Sequence, residues 1–555
     1  MDARRHRIRL TDSPATKFAA KFQLQFSAQG RDECACRPAA SGDAHARVAL
    51  RRFHCEAIVK CIVTILAALL VFPFLAEAQV MRDEAVPIRL HPKNPHYFLF
   101  RGKAVALITS GEHYGAVMNA DFDYHHYLTT LAADGFNYTR VFGGSYVEVP
   151  AKSFGILRND LAPAAGHFVA PWARSNAPGY AGGGNKFDLD RWDAAYFERL
   201  RDFLGEANRR GIVVEITLFS SQYSGVQWDV SPFKRANNIN QTGAIEWRKL
   251  NTLENGNVLG YQEKYVRKLV REANAFPNVI FEIENEPWSD RPVLADVVNS
   301  YLPVPGRDKY PNSVDLPDDR AMEWQARVAG WVTSEETALP NKHLIAQNYC
   351  NFRYPVRQLI PGVSVVNFHY AYPEAVSLNY GLGEALAYDE TGFLGLDDES
   401  YIRQAWNFML SGGSAFDNLD YSFTPGHEDG SDARPNGPGG GSPELRRLLR
   451  VLADFLNELP LVELKPDYET VKAARGAVAH ALSSASGEYA IYFDGKGPVD
   501  VTLTLPAGEY TATWTDVHMG RAVNAETFRH NGGEKNLKTP EFRAGIALRL
   551  VRKTR

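Results

Sequence analysis

Eight short apolar runs separated by amphipathic segments, and after them a stretch of period-two runs broken by Gly and Pro, predict an α/β chain. The class is a (β/α)8 TIM barrel followed by a small antiparallel β domain. A third observation predicts where the barrel does its chemistry: two of the runs end in carboxylates.

The chain has 555 residues, enough for two separate cores. Its 45% hydrophobic and 23% charged residues exclude a disordered chain. Before the first run, Arg51, Arg52 and Lys60 precede "CIVTILAALLVFPFL" (61–75), which is short for a membrane span, and "AEA" (76–78) fits a small-residue cleavage site. Residues 1–78 are therefore expected to be a leader and a cleaved signal peptide, with translation beginning near Val48. The product is expected to be secreted or periplasmic, with no stable membrane anchor. Four of the five cysteines fall in that segment, so Cys350 is left without a partner. The remaining chain carries 49 Lys and Arg against 58 Asp and Glu, a net charge of −9. That balance, with no phosphate-binding Gly loop, argues against nucleic acid as a partner.

The barrel is expected over residues 79–460. Its strands are "AVALITS" (104–110), "FNYTRVF" (136–142), "IVVEITLF" (212–219), "NVIFEIE" (278–284), "HLIAQN" (343–348), "VSVVNFH" (363–369), "ALAYDE" (385–390) and "SAFDNLDY" (414–421). Between them lie helical patterns such as residues 191–211, where Phe197, Leu200, Phe203 and Leu204 share a face and Gly211 supplies the stop. Strand and helix in alternation require parallel strands with right-handed crossovers, and eight such units close a barrel. A last helix (442–459) leads into "GEYAIYFDG", "VDVTLTLPAGEYTATWTD" and "GIALRLVRK", the antiparallel domain of residues 461–555. The Gly- and Pro-rich stretch 424–443 follows the eighth strand directly and is placed over the barrel mouth. The insertion 143–186 is expected to shape a cleft or cap.

The fourth strand, "NVIFEIENEPW" (278–288), sets Glu282, Glu284 and Glu286 at every second position of an otherwise apolar run. Barrel strands are covered on both faces, so unpaired carboxylates there are costly. Glu282 is expected to pair with Arg140 of the second strand as a structural contact. Glu286, at the strand's end, falls on the catalytic rim. The seventh strand likewise ends in Asp389 and Glu390 before Gly392. Two carboxylates facing each other across one rim are what hydrolysis of a glycosidic bond requires: an acid for the departing oxygen, and a base to attack or to activate water. For Asn285 and Glu286 both to reach a sugar, the strand has to end or bulge between them.

"IENEPW", "FHYAYP" and "YDETG", ending strands four, six and seven, resemble the cellulase-like clan of retaining (β/α)8 glycoside hydrolases that includes glycoside hydrolase family 5. The resemblance spans residues 85–460. It implies Glu286 as acid/base, Glu390 as nucleophile and Asn285 on the sugar 2-hydroxyl. Arg140 would position the nucleophile, and His369 and Tyr370 would border the site. It also implies that the closing domain is an accessory β-sandwich and that no cofactor or metal is needed. Two departures, "TLFSSQYS" after strand three and "SAFDNLDYSF" at strand eight, lack the His and Trp of that pattern and leave sugar and subfamily open. His113 and Tyr114 in "GEHYG", Trp288, Trp228, Tyr223 and Tyr372 are candidates for sugar contact, since aromatic rings stack on pyranose faces. His125 and His126 read as plain helix residues. A metal-dependent barrel hydrolase built on His113, His369, Asp389 and Asp417, and a non-catalytic carbohydrate-binding scaffold, are the alternatives from other classes.

Overall fold

The structure is a computed structural model that describes residues 85–553 apart from residue 112 and residues 297–312. The expected leader and signal segment, 1–78, lies outside the described residues.

Eight parallel strands form one sheet: β1 (Leu107–Thr109), β2 (Tyr138–Phe142), β3 (Val213–Ser220), β4 (Val279–Asn285), β5 (Leu344–Asn351), β6 (Val363–His369), β7 (Ala385–Thr391) and β8 (Ala415–Asn418). Their order is β1-β8-β7-β6-β5-β4-β3-β2, so the sheet curls into a barrel with one open seam, between β1 and β2. A side chain spans that seam. Asn137 accepts the Ile108 N–H on Oδ1 at 2.9 Å and donates from Nδ2 to the Ala106 carbonyl at 2.8 Å, which satisfies backbone groups that a strand partner would otherwise take.

Crossover helices follow β1 (α1, Tyr124–Ala133), β2 (α2, Ala194–Arg209), β3 (α3, Val258–Ala273), β4 (α4, Asp319–Glu336), β7 (α5, Asp398–Met409) and β8 (α6, Pro443–Asn457), and β6 is followed by the short Glu374–Asn379 helix. Asp193 caps α2 through the Ala195 and Tyr196 amides, and Ser442 caps α6 with Pro443 in its first turn. The β5–β6 connection departs from the expected alternation because it contains no helix. Pro355 and Pro361 lie within those eleven residues, and each removes an amide donor and blocks a helical turn.

The first predicted strand also needs correction. Lys103–Val105 belongs to an antiparallel meander with Arg89–His91 and Asn94–Phe100, and only Leu107–Thr109 enters the barrel. This meander plugs the N-terminal end: Ile88, Phe98 and Phe100 pack against Val213, Ile280, Leu344, Val365 and Ala385, which begin the strands. With that end sealed by apolar side chains, the polar groups collect at the opposite mouth.

Beyond α6, a six-stranded and a three-stranded antiparallel sheet enclose a second core. Tyr489, Ile491 and Phe493 of one strand, Val501, Leu503 and Leu505 of another, and Tyr510, Ala512 and Trp514 of a third alternate into it, as two packed sheets require. The sandwich is held to α5 by the Arg403–Asp494 ion pair at 2.8 Å and by stacking of Trp406 on Tyr492.

Candidate active site

The three glutamates of β4 have three different fates. Glu282 lies fully buried inside the barrel and takes Arg140 Nε at 3.0 Å and Nη2 at 2.5 Å, with Thr217 Oγ1 also at 2.5 Å. Glu284 is buried too and accepts from Asn251 Nδ2 at 2.7 Å; burial pushes its carboxyl well above the usual range. Glu286 stands past the last strand residue, where the backbone turns to φ 47°. That left-handed residue is the break the sequence requires, because it lets Asn285 and Glu286 face one cleft. Asn348 Oδ1 takes the Glu286 amide and Ser221 Oγ donates to its carbonyl, holding the turn.

Arg140, with no exposed surface, is the centre of the polar layer. Besides Glu282, its guanidinium donates to Asn285 Oδ1 at 2.8 Å and to Tyr114 Oη at 2.7 Å, and it stands 3.4 Å from both Asp389 and Glu390. Burial opposes ionisation of Asp389, yet Arg140 and His369 outweigh it and hold this carboxyl below its ordinary value. Glu215, a strand-three carboxylate that sequence reading passed over, completes the layer through Tyr138 Oη and Asn367 Nδ2, each at 2.7 Å. Among the described residues, no cation forms an ion pair with Glu215. Burial, then the charges of Glu282 and Asp389, push its carboxyl up to about 8.

That shift fixes the direction of a pH effect. A carboxyl raised in the fold binds its proton more tightly there than in the unfolded chain, so its contribution is complete below the unfolded value near 4.5 and is lost as pH rises towards about 8. Chemical denaturation between pH 5 and pH 8 is expected to show stability falling by a few kcal/mol. In Glu215→Gln, which cannot ionise, the fall is expected to be smaller.

Glu390 closes the constellation. It is 5% exposed and accepts Tyr370 Oη on Oε1 at 2.7 Å, while Oε2 takes the Tyr114 hydroxyl and faces Arg140 Nη1. Nδ1 of His369 lies 2.9 Å from Glu286 Oε1 and 3.5 Å from Glu390 Oε2, so one imidazole nitrogen stands between the two carboxylates. Glu286, His369 and Glu390 each offer an atom within 4.8 Å of the others. Burial disfavours a charged imidazole, but Glu390 and Asp389, with hydrogen bonding to Asp389 and Glu286, raise the His369 pKa well above its ordinary value. Tyr223, whose hydroxyl takes Asn285 Nδ2 at 2.7 Å, and Ser289, which donates to Glu286 Oε2, complete the polar contacts.

These groups open into a cleft of about 670 Å³ whose wall includes Tyr114, Tyr223, Asn285, Trp288 and Tyr370. The insertion after β2 supplies Tyr146, Glu148, Phe154 and Asn159, and the loops after β5 and β7 supply Phe352 and Phe393. The position of these loop residues is set by folding, and no strand or helix pattern announces it. Of nine described non-glycine residues with positive φ, six line the cleft: Phe154, Tyr223, Glu286, Phe352, Tyr370 and Phe393. Each such conformation costs on the order of 1–2 kcal/mol, so strain is concentrated where side chains are being aimed.

Three expected contacts fall outside the cleft. His113 is buried among Phe122, Tyr127 and Phe423 with Asp160 at 3.4 Å, as a core histidine. Trp228 packs into the core from the short Gly225–Val230 helix, because that helix turns its apolar face inward. Tyr372 lies against Phe352 and Arg353 rather than on the cleft wall. Arg140 and His369 do not line the cleft but contact residues that do: Arg140 touches Tyr114, Asn285 and Glu390, and His369 touches Glu286.

No family model matches the chain, and no curated protein matches it by sequence. Solved structures do. The architecture is that of a (β/α)8 barrel carrying a C-terminal β-sandwich. Among the structures sharing it are a candidate glycoside hydrolase from Bacteroides vulgatus (TM-score 0.57, 13% identity, 85% of this chain and 83% of that one) and a glycoside hydrolase (0.53, 11%, 84% and 97%). A glycoside hydrolase family 5 structure from Bacteroides vulgatus is similar as well (0.52, 12%, 84% and 93%). At such identities the likeness establishes the fold.

Proposed function

We propose that the protein is an exported O-glycoside hydrolase that cleaves a glycosidic bond with retention of configuration by double displacement. The observation that carries this reading is the pair Glu286 and Glu390, which present carboxylate oxygens within 4.8 Å of each other at the barrel mouth. Retaining enzymes hold their two carboxyl groups about 5–5.5 Å apart, and inverting enzymes about 6.5–9.5 Å, to admit water between them. Export is supported by the apolar run 61–75 and the "AEA" that follows it.

In the first step Glu390 attacks the anomeric carbon as the bond to the departing oxygen breaks, and Glu286 gives that oxygen its proton. In the second, Glu286 as carboxylate takes a proton from water, whose oxygen displaces Glu390 from the anomeric carbon. Glu286 leaves the cycle protonated, as it entered. Arg140, Tyr114 and Tyr370 hold the Glu390 carboxylate, and Asn285, on the cleft wall, is the residue that the resemblance assigns to the sugar 2-hydroxyl. Glu286→Gln is expected to slow hydrolysis of alkyl glycosides about 10²–10⁴-fold. Dinitrophenyl glycosides, whose leaving group needs no proton, are expected to lose far less in the first step. An equal loss on both would overturn the acid role.

The atoms of Glu286, His369 and Glu390 are also close enough to share a metal ion, so the assay is run with and without chelator. The carboxylates around His369 raise its pKa, which opposes the neutral imidazole that a metal ion takes as a ligand. Loss of activity on chelation would favour the metal reading.

A further inference from the structure

The outer rim of the cleft is apolar in a way that the proposed chemistry does not require. Phe154, Phe393 and Leu394 line it while 42%, 38% and 49% exposed, and Leu157 and Leu396 continue the surface at 58% and 63%. The rings of Phe154 and Phe393 approach to 6.5 Å from two different loops. Phe393 lies 6.1 Å from Tyr370, which holds Glu390. The rim is therefore continuous with the candidate nucleophile.

The exposure is built in. Leu157 N–H donates to the Asn436 carbonyl at 2.7 Å, Leu394 N–H to Tyr401 Oη and Gly395 N–H to the Pro438 carbonyl, so both loops are tied to the 424–442 stretch. Phe154 and Phe393 both adopt positive φ, a strained backbone that aims their side chains outward. A soluble protein gains nothing from fixing such a patch in water unless something covers it.

A second sugar unit could lay one face on Phe154 or Phe393, but it matches the rest of this rim less well than an alkyl group does. A pyranose carries hydroxyls around its rim that need partners once desolvated. The phenyl rings of Phe154 and Phe393 and the alkyl chains of Leu394 and Leu396 offer none. We infer that this rim seats an apolar leaving group, so that the preferred substrates are glycosides of an alkyl or aryl alcohol rather than internal stretches of a polysaccharide. The inference rests on the glycosidase reading above.

The test first finds the accepted sugar with a panel of p-nitrophenyl glycosides, then compares its methyl, butyl and octyl glycosides below micelle-forming concentrations. These alkoxides leave with nearly equal ease, so only contact with the rim changes along the series. Wild type is expected to gain about fourfold in kcat/KM for each methylene the rim covers. In the Phe154→Ser/Leu394→Ser double variant the gain per methylene is expected to disappear while methyl glycoside is still cleaved, and a melting curve checks that the variant is folded. A flat series in wild type, an unaltered slope in the variant, or faster cleavage of unsubstituted oligosaccharides would overturn the inference. If no glycoside turns over, the glycosidase reading falls, and the rim is judged by calorimetric binding of methyl against octyl glycoside. Tighter octyl binding that the double variant loses supports the apolar seat, and equal binding overturns it.

Discussion

Replacing Glu390 by Gln is expected to lower kcat on activated aryl glycosides by at least about 10⁴-fold, with KM changed far less. The substitution keeps the volume of the side chain and its place at the end of β7. The amide oxygen can still accept from Tyr114 and Arg140, and the Tyr370 hydroxyl can turn to accept from the amide nitrogen. The variant is therefore expected to fold and to bind. On the proposed mechanism it loses the carboxylate oxygen that would bond to the anomeric carbon, and Asp389, fully buried beside His369, is not placed to replace it. Steady-state kinetics with a dinitrophenyl glycoside, where protonation of the leaving group is unimportant, isolate that loss. A Glu390→Gln enzyme within tenfold of wild type would remove this residue from the chemistry.

Arg140→Met is expected to destabilise the barrel by about 3–5 kcal/mol. Methionine is similar in length, so the loss comes from charge and not from a cavity. With the guanidinium gone, Glu282 and Asp389 keep, among the described residues, only His369 beside Asp389 as a cationic neighbour, and the donors to Asn285 and Tyr114 vanish with it. A buried carboxylate stripped of its partner takes up a proton instead. The deficit should therefore shrink as pH falls from 8 to 5, since protonation then costs less. Urea denaturation of both proteins at the two pH values measures this, and a deficit independent of pH would mean that Arg140 contributes packing alone. Lysine is expected to rescue only in part, because one ammonium cannot span the five acceptors that the planar fork reaches.

The strands and most helices were legible because each strand is an unbroken apolar run and each long helix repeats its apolar face. Legibility failed where tertiary context decides. Lys103–Val105 reads as a continuation of β1, and only its pairing with Phe98–Phe100 draws it away. The helix missing between β5 and β6 was signalled by Pro355 and Pro361, a local cue outweighed by the expectation of a regular repeat. In the candidate site, the positions of Glu286, Glu390 and Asn285 were readable because strand ends on a barrel rim share an address, and Arg140 was readable as a cation in the middle of an apolar strand. Glu215 was readable in principle, as a lone carboxylate inside "VVEITL". Phe154, Phe352 and Phe393 were not, since a ring on a long loop gains a role only when the backbone turns to aim it. Trp228 and His113 show the reverse error, in which an aromatic and a histidine near the mouth in sequence are spent on the core.

Retention of configuration requires Glu286 and Glu390 to act as a closely spaced pair, and one oxygen of each lies within 4.8 Å of the other. Proton NMR of the first sugar released from a single-anomer glycoside, recorded before mutarotation, reads this out. The predicted result is a product with the anomeric configuration of the substrate. First appearance of the opposite anomer would contradict it.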